Sequence, residues 1–213
     1  MQTIHCLSGL GADQRIFQKL SIPGYNLVPV PWCDFDKHDD LPCYAQKMAA
    51  QIHEEEPVIM GVSFGGMLAS EIAKIRPVKK TILISSAKDA GEMPPVGGFV
   101  KFMIDHGVVP VGIAKVRSKQ IFRRFGAETE EEKDLLMSIL KGTDNAFARW
   151  SMKAISNWRS TTHVRGILHI HGTADRMIPA KLVKPDYWIE GGTHFMVYHN
   201  AEEISALISK HLA

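Results

Sequence analysis

Short runs of apolar residues alternate along this chain with longer stretches in which apolar residues recur every three or four positions. The short runs are typical of strands that are buried on both faces, and the longer stretches are typical of helices. Strands are predicted at Thr3–Leu7, Asn26–Trp32, Pro57–Val62, Lys80–Ser85, Ile167–Ile170 and Asp186–Ile189. Strands that alternate with helices predict an α/β domain with a mostly parallel sheet.

Four stretches between and after these strands have helical periodicity. They are Asp13–Leu20, Leu41–Glu55, Phe64–Ile75 and Ala201–Leu212. Asp13 is a suitable N-cap for the first helix, and Pro77 marks the end of the third. Pro29 and Pro31 interrupt the second strand, which indicates a frayed strand or a strand at the edge of the sheet.

The stretch from residue 87 to residue 162 breaks this alternation, because it contains no convincing strand pattern. It opens with a loop rich in glycine and proline and continues with helical patterns. The acidic run Glu128–Glu132 is predicted to lie on a solvated helix face, at a helix start where carboxylates suit the helix dipole. We therefore predict a core domain of residues 1–86 and 163–213, with residues 87–162 inserted as a helical lid.

The composition is that of a globular protein and excludes several classes of function. Hydrophobic residues make up 45% of the 213 residues and charged residues 23%, which excludes a wholly disordered chain. The net charge is only +2, and the basic residues are spread along the chain, so no nucleic-acid partner is expected. No apolar run reaches membrane-spanning length, so no membrane partner is expected either.

The N-terminus and the cysteines bear on the cellular compartment. Residues 1–5 lack the basic and then apolar pattern of a secretory signal. Cys6, Cys33 and Cys43 form an odd and sparse set, which fits a reducing compartment better than a disulfide framework. Their spacing makes no zinc-binding pair, and each is expected to be a small buried or half-buried residue. The sequence therefore predicts a cytoplasmic protein.

The strongest candidate for chemistry is a G-x-S-x-G sequence at residues 61–65, with Ser63 at its centre. It follows a predicted strand and precedes a predicted helix, which is the context that a nucleophile elbow requires. Such a turn is tight and strained and exposes the serine hydroxyl. Side chains at Gly61 and Gly65 would collide with the neighbouring strand and helix. The alternative interpretation is an ordinary glycine-rich turn between a strand and a helix.

A nucleophilic serine needs a base, and the base needs an acid that orients it. His194 follows the last predicted strand and precedes the final helix, which makes it the candidate base. Asp175 follows the fifth predicted strand and Asp89 follows the fourth. Because loops after parallel strands meet at one edge of the sheet, either aspartate could serve as the acid. Either could instead form a turn or a helix cap.

The order Ser63, Asp175, His194 is the order of the catalytic residues in α/β-hydrolases, and the whole chain resembles that superfamily. The resemblance covers the turn at residues 8–10, the elbow, the predicted helical lid and the two loops that carry Asp175 and His194. It implies that Ser63, Asp175 and His194 form a catalytic triad. It also favours Asp175 over Asp89 as the acid.

The resemblance further implies an oxyanion hole formed by the backbone N–H groups of Leu10 and Phe64. The superfamily usually has His-Gly at the oxyanion turn, where this chain has Ser8 and Gly9. Because the donors are backbone groups, this difference need not remove the hole, and Ser8 can offer its hydroxyl to the loop or to a substrate. The chain begins at the strand that matches the third strand of the family, so a sheet of about six strands is expected.

Two other features have their own interpretations. His169 and His171 share a strand face and Asp175 follows them, as in some metal sites, but no further ligands cluster nearby and no metal is predicted. The predicted lid is rich in large apolar residues. Most are expected to pack the lid onto the sheet, and some to line an apolar pocket above Ser63. They are Phe99, Phe102, Met103, Phe122, Phe125, Phe147, Trp150, Met152 and Trp158.

Together these observations predict a serine hydrolase (a carboxylesterase or thioesterase, class EC 3.1) that needs no cofactor. Its expected substrate is an ester or thioester of a small to medium apolar acyl group, cleaved through an acyl-enzyme. Two alternatives use the same residues: a lyase or carbon–carbon bond hydrolase, and a ligand receptor with slow turnover. A lysine in the active site or a polar lid would favour the lyase.

Overall fold

A computed structural model describes residues 1–162 and 164–212 of the chain. Six strands form one sheet in the order β2-β1-β3-β4-β5-β6, and every neighbouring pair is parallel. The prediction of a mostly parallel sheet of about six strands is therefore confirmed. The strands are β1 (Gln2–Leu7), β2 (Tyr25–Pro29), β3 (Val58–Val62), β4 (Lys80–Ile84), β5 (Ile167–Gly172) and β6 (Tyr187–Ile189). As expected from its prolines, β2 is an edge strand.

Helices flank this sheet, and four of them lie between β4 and β5. In the described part of the chain they are α1 (Leu41–Ala49), α2 (Phe64–Ile75), α3 (Gly98–Asp105), α4 (Lys119–Phe125), α5 (Glu130–Gly142), α6 (Asn145–Ser156), α7 (Met196–His199) and α8 (Ala201–Leu212). The helix predicted from Asp13 is a single 3-10 turn, which Asp13 caps by accepting a hydrogen bond from the N–H of Arg15. The short helix α7 has no counterpart in the sequence prediction. No helix in the described residues is long and apolar enough to cross a membrane.

Helix α1 ends earlier than its apolar periodicity predicts. The prediction extended it to Glu55, but the α-helix stops at Ala49. The guanidinium of Arg76 donates hydrogen bonds to the carbonyl oxygens of Ala49, Ile52 and Glu54. The carbonyl of Ala49 also accepts the backbone N–H of Ile52 at 3.1 Å, so the end of the helix is capped by a backbone turn and by the Arg76 side chain together.

The two faces of the sheet are covered by different helices. Ile59 and Leu83 lie in the apolar cluster that contains the buried side chains of α1 and α2. Met60 and Ile82, one position away along the same strands, lie in the cluster that contains Ile204 and the rest of the buried face of α8. Because successive side chains of a strand point to opposite faces, a continuous apolar run is what a sheet covered on both sides requires.

The segment between β4 and β5 is held to this core by aromatic side chains from α6. Trp150 stacks on Phe35 with ring centroids 4.9 Å apart and contacts Tyr44 of α1 at 4.5 Å. Its indole N–H donates a hydrogen bond to the carbonyl oxygen of Asp39 at 3.0 Å. Phe147 packs against Trp32 in the same cluster. We call residues 85–166 the β4–β5 segment.

The sequence analysis expected most of the large apolar residues of this segment to pack onto the sheet, but two of them are exposed. Phe147, Trp150 and Trp158 are buried, as expected for residues that pack the segment onto the core. Phe99 and Phe102 are instead 77% and 56% exposed. They lie on α3, which buries only Ile104 among its side chains and therefore leaves its aromatic residues outside the core.

Two smaller expectations each fail at one residue: the other glutamates of the acidic run are exposed, and the other two cysteines are buried or half-buried, as predicted. Glu132, in the acidic run predicted to be solvated, is buried, because its carboxylate accepts the backbone N–H groups of Glu128 and Thr129. Thr129 in turn accepts the N–H of Glu132, which completes a capping box at the start of α5. Cys43 is exposed rather than buried or half-buried, because it lies in the first turn of α1 on its outer side.

The aromatic cluster yields a test of stability. Trp150→Ala should lower the free energy of unfolding by about 3–5 kcal/mol, because it empties a large buried site and leaves the carbonyl of Asp39 unpaired. Phe99→Ala, on the exposed side of α3, should change it by less than about 0.5 kcal/mol. Urea unfolding followed by circular dichroism measures both variants. Equal effects of the two substitutions would contradict the described packing.

Candidate active site

Ser63 lies in the tight turn between β3 and α2, with backbone angles φ 53° and ψ −120°. An L-residue with a side chain rarely adopts a positive φ, so the turn is strained. A Cβ atom on Gly61 would overlap the backbone of Gly65, and one on Gly65 would overlap the carbonyl oxygens of Leu7 and Ser8. The glycines therefore allow the start of α2 to approach the end of β1, as the sequence pattern predicted.

Three side chains predicted from the sequence meet above this turn in one chain of hydrogen bonds. The Nε2 atom of His194 lies 2.9 Å from the Oγ atom of Ser63. The Nδ1 atom of the same ring lies 2.8 Å from Oδ2 of Asp175. With the proton on Nδ1, His194 donates to the carboxylate and its Nε2 is free to accept the serine hydroxyl proton.

Asp175 is held in place by its own loop. Its Oδ1 accepts hydrogen bonds from the N–H groups of Met177 and Ile178 at 2.8 and 2.9 Å. Burial by itself raises the pKa of Asp175, but the charge and hydrogen bond of His194 and the hydrogen bond from Ile178 outweigh it, so the pKa lies below its ordinary value. The carboxylate is therefore ionised at neutral pH beside the imidazole.

Asp89, the other candidate acid, lies in a different loop, the one that follows β4. It is the N-cap of a 3-10 turn, where its Oδ1 accepts the N–H of Gly91 at 2.7 Å. The carboxylate that accepts the hydrogen bond from Nδ1 of His194 is that of Asp175. The residue pattern alone could not choose between the two aspartates, and their contacts show that Asp175 is the one beside His194.

The two residues expected to form an oxyanion hole with their backbone N–H groups lie in the turn after β1 and at the start of α2. Phe64 is the first residue of α2, and N–H groups in the first turn of a helix have no acceptor within the helix. Leu10 follows Gly9, at which a Cβ atom would lie only 3.5 Å from Cβ of Ser63. The hydroxyl of Ser8 donates to the carbonyl oxygen of Ala12 at 2.6 Å, so it braces its own loop.

A cavity of about 440 Å³ opens beside Ser63 and His194. Its wall is almost entirely apolar, with residues from the turn after β1, from α2 and from the β4–β5 segment. Lys115 and Arg124 are the two positively charged residues among the described residues that line it, and no carboxylate among those residues lines it. The apolar lining residues include Leu10, Phe64, Met67, Ile121, Phe125, Leu136, Leu140, Met152 and Ile155.

The β4–β5 segment touches both loops that flank the serine. The ring of Phe125 lies edge-on to the His194 imidazole, with centroids 6.1 Å apart. Next to it, the hydroxyl of Thr193 donates to the carbonyl oxygen of Gly126 at 3.2 Å. On the other side, Thr143 donates to the carbonyl oxygen of Gly11 at 3.3 Å. These contacts were not predicted, because they join residues far apart in sequence and no local pattern announces them.

The two histidines of β5 are fully buried. The Nε2 atom of His171 lies 2.9 Å from the carbonyl oxygen of Ile178 and braces the loop that carries Asp175. Burial lowers the pKa of His171, although the charge of Asp175 opposes this effect. Across residues 1–162 and 164–212, no group of three or more His, Cys, Asp or Glu residues could hold a metal ion.

Comparison with known proteins agrees with this fold. The family model described as "Alpha/beta hydrolase family" matches residues 6–207, so the chain belongs to the α/β-hydrolase family. A search of curated protein sequences finds no match.

Solved structures with a similar fold are numerous but distant in sequence. A lipase-esterase related protein from Clostridium acetobutylicum has 15% identity and a TM-score of 0.73, over 99% of this chain and 94% of that one. An esterase from Exiguobacterium antarcticum has 17% identity and a TM-score of 0.72, over 100% and 92%. A bromoperoxidase from Bacillus anthracis has 14% identity and a TM-score of 0.73, over 99% and 91%. At these identities the likeness shows a shared fold.

The buried histidine pair makes stability depend on pH. Burial, the charge of His171 and that of Lys88 lower the pKa of His169 from 6.5 to about 3, against a weaker opposing effect of the Ser86 backbone. Below pH 6.5 His169 binds a proton in the unfolded chain but stays neutral in the folded chain. The free energy of unfolding therefore falls as the pH falls from 6.5 towards 3. Between pH 7.5 and 5 the loss should be about 2 kcal/mol.

His169→Leu should remove this loss. In urea unfolding at pH 7.5 and pH 5, the variant should gain about 2 kcal/mol relative to the natural protein on acidification. The exposed His38→Gln serves as the control and should give no such change. A parallel loss of stability in the natural protein and in His169→Leu would show that His169 is protonated in the folded state.

Proposed function

We propose that this chain is a serine hydrolase that cleaves an ester or thioester of a small to medium apolar acyl group through an acyl-enzyme. The observation that carries the proposal is the hydrogen-bonded chain from Ser63 through His194 to Asp175, at distances of 2.9 and 2.8 Å. Membership of the α/β-hydrolase family supports a hydrolytic reaction. The proposal places the reaction in class EC 3.1.

In the proposed mechanism, Ser63 Oγ attacks the carbonyl carbon while Nε2 of His194 takes the serine proton. The imidazolium that forms is stabilised by the ionised Asp175, which also keeps the other ring nitrogen protonated. His194 then delivers its proton to the departing alcohol or thiol. In the second half-reaction His194 takes a proton from water as the water oxygen attacks the acyl carbon. The bond from this carbon to Ser63 Oγ then breaks, and His194 returns the proton to Oγ.

Negative charge develops on the carbonyl oxygen when Ser63 attacks. The proposed donors for it are the backbone N–H groups of Leu10 and Phe64. The geometry that favours this assignment is the closeness of Gly9 to Ser63 and the position of Phe64 at the start of α2. In this proposal the strained turn holds the serine near both donors before substrate binds, so that little reorganisation is needed at the moment of reaction.

The cavity determines the proposed substrate class. Its volume of about 440 Å³ and its apolar wall suit a hydrocarbon acyl group placed next to Ser63. Since helices of the β4–β5 segment form much of this wall, we propose that residues 87–162 serve as a lid over a core of residues 1–86 and 163–213. His163 and Ala213, at two of these boundaries, lie outside the described residues.

The alternatives are less well supported by the cavity. Similar folds carry the names esterase, bromoperoxidase and epoxide hydrolase, so the fold alone does not choose a reaction. A lyase would be favoured by a polar lid or a lysine beside the serine. The wall here is apolar, and the ammonium group of Lys115 donates to the carbonyl oxygen of Thr143 at 2.6 Å.

The proposed setting follows from the same reasoning. The substrate is a small molecule, the reaction needs neither a cofactor nor a metal ion, and the three cysteines, free in the structure, suit the reducing cytoplasm.

Ser63→Ala should abolish hydrolysis of 4-nitrophenyl esters and labelling by a fluorophosphonate probe, because it removes the nucleophile. The fold should persist, since the serine is half-buried at the cavity and loss of its hydroxyl opens no hole in the core. Activity and labelling are measured on the natural protein and the variant side by side, with circular dichroism as the check of folding. A folded variant that keeps most of its activity would exclude the serine mechanism.

Asp175→Asn should lower kcat by a factor on the order of ten thousand, as the same change does in serine proteases of another fold. The amide can donate a hydrogen bond and so hold His194 with the wrong nitrogen protonated. Asp89→Asn is the comparison variant and should change kcat by much less. Both are assayed on one ester at saturation after their folding is verified. A larger loss in Asp89→Asn would move the role of the acid to Asp89.

A further inference from the structure

The apolar cavity has one feature that an apolar acyl group does not explain. Of its two positively charged lining residues, Lys115 is engaged with the carbonyl oxygen of Thr143 at 2.6 Å. Arg124 is exposed on the rim, and within the described residues no ion pair or hydrogen bond involves its side chain. A guanidinium at the mouth of a cavity whose described lining holds no carboxylate is available to an anion from solution.

Arg124 lies on the side of the cavity where the leaving group of the substrate is expected. The next residue, Phe125, contacts the ring of His194, and Gly126 accepts a hydrogen bond from Thr193. The end of α4 is therefore in contact with the loop that carries His194, the proposed base. Since His194 would protonate the leaving group, the leaving group must lie on this side of the cavity.

We propose that Arg124 binds an anionic group, a carboxylate or a phosphate, on the leaving-group side of the substrate. This inference rests on the proposed function of the site and narrows its substrate class. The acyl group would fill the apolar cavity, and the alcohol or thiol would extend past His194 towards the guanidinium. A guanidinium suits both anions, because its N–H groups can donate in parallel to two oxygen atoms.

The helix dipole by itself also favours positive charge at this end of α4, and Arg123 is the control for that effect. Arg123 and Arg124 both lie in the last turn of α4, where positive charge suits the helix dipole. Both are exposed, but only Arg124 lines the cavity. Arg123→Gln and Arg124→Gln therefore remove the same charge from the same helix turn, and they differ in access to the substrate.

The test uses pairs of substrates that differ in the charge of the leaving group. One pair is 2-nitrophenyl butanoate and 3-butanoyloxy-4-nitrobenzoate, which adds a carboxylate. The other is the butanoyl thioester of N-acetylcysteamine and that of coenzyme A, which adds phosphates. The quantity compared is the ratio of kcat/KM for the anionic substrate to kcat/KM for its neutral partner.

Arg124→Gln should lower this ratio at least tenfold in one pair or both, and the pair affected identifies the anion. Arg123→Gln should change it less than twofold. In the natural protein the ratio should also fall as salt is added, because the guanidinium is exposed and screened. Equal ratios in the two variants for both pairs, with hydrolysis still dependent on Ser63, would overturn this inference and leave the proposed function standing. Absence of Ser63-dependent hydrolysis of all four substrates would overturn both.

Discussion

The backbone of Ser63 is held at φ 53°, and the rest of the site is arranged around that strained turn. Such a conformation persists only where the surroundings leave the chain no easier alternative. Here β3 is buried on both faces, and α2 begins immediately after it. The absence of side chains at Gly61 and Gly65 lets α2 start against the end of β1. The turn at Gly9 also approaches the serine closely, since a Cβ atom there would lie 3.5 Å from Cβ of Ser63.

The parallel sheet explains why residues from distant parts of the chain meet at this turn. Strands β3, β5 and β6 all end at the same edge, and the loops that follow them carry Ser63, Asp175 and His194. Each loop is then fixed by contacts of its own. The loop of Asp175 is braced by two backbone N–H groups on its carboxylate and by His171 on the carbonyl of Ile178. The hydrogen-bonded chain from Ser63 to Asp175 therefore depends on these local contacts as much as on the topology of the sheet.

The sequence predicted the sheet because buried parallel strands leave a strong local signal, and it predicted the turn at Ser63 because glycine and serine stand at fixed spacing. The residue pattern alone left Asp175 and Asp89 open, since both follow strands that end at the same edge, and the family resemblance favoured Asp175. Only the hydrogen bonds of the folded chain separate them. Helix α7 and the early end of α1 were missed for a similar reason. The end of α1 depends on Arg76, which is distant in sequence and has no periodic pattern to reveal it.

Contacts of the β4–β5 segment link the cavity to the geometry of the reacting groups. Thr143 binds the turn next to Leu10, and Gly126 binds the loop next to His194, while Phe125 rests against the imidazole itself. The helices α4 and α5, which line the cavity, therefore end at residues that contact the loop of His194 and the turn after β1. In the proposed mechanism, the space for substrate and the geometry of the reacting groups depend on the same helices. Under that mechanism, a substrate that fits the cavity without breaking these contacts also leaves Ser63 and His194 in the geometry that the reaction requires.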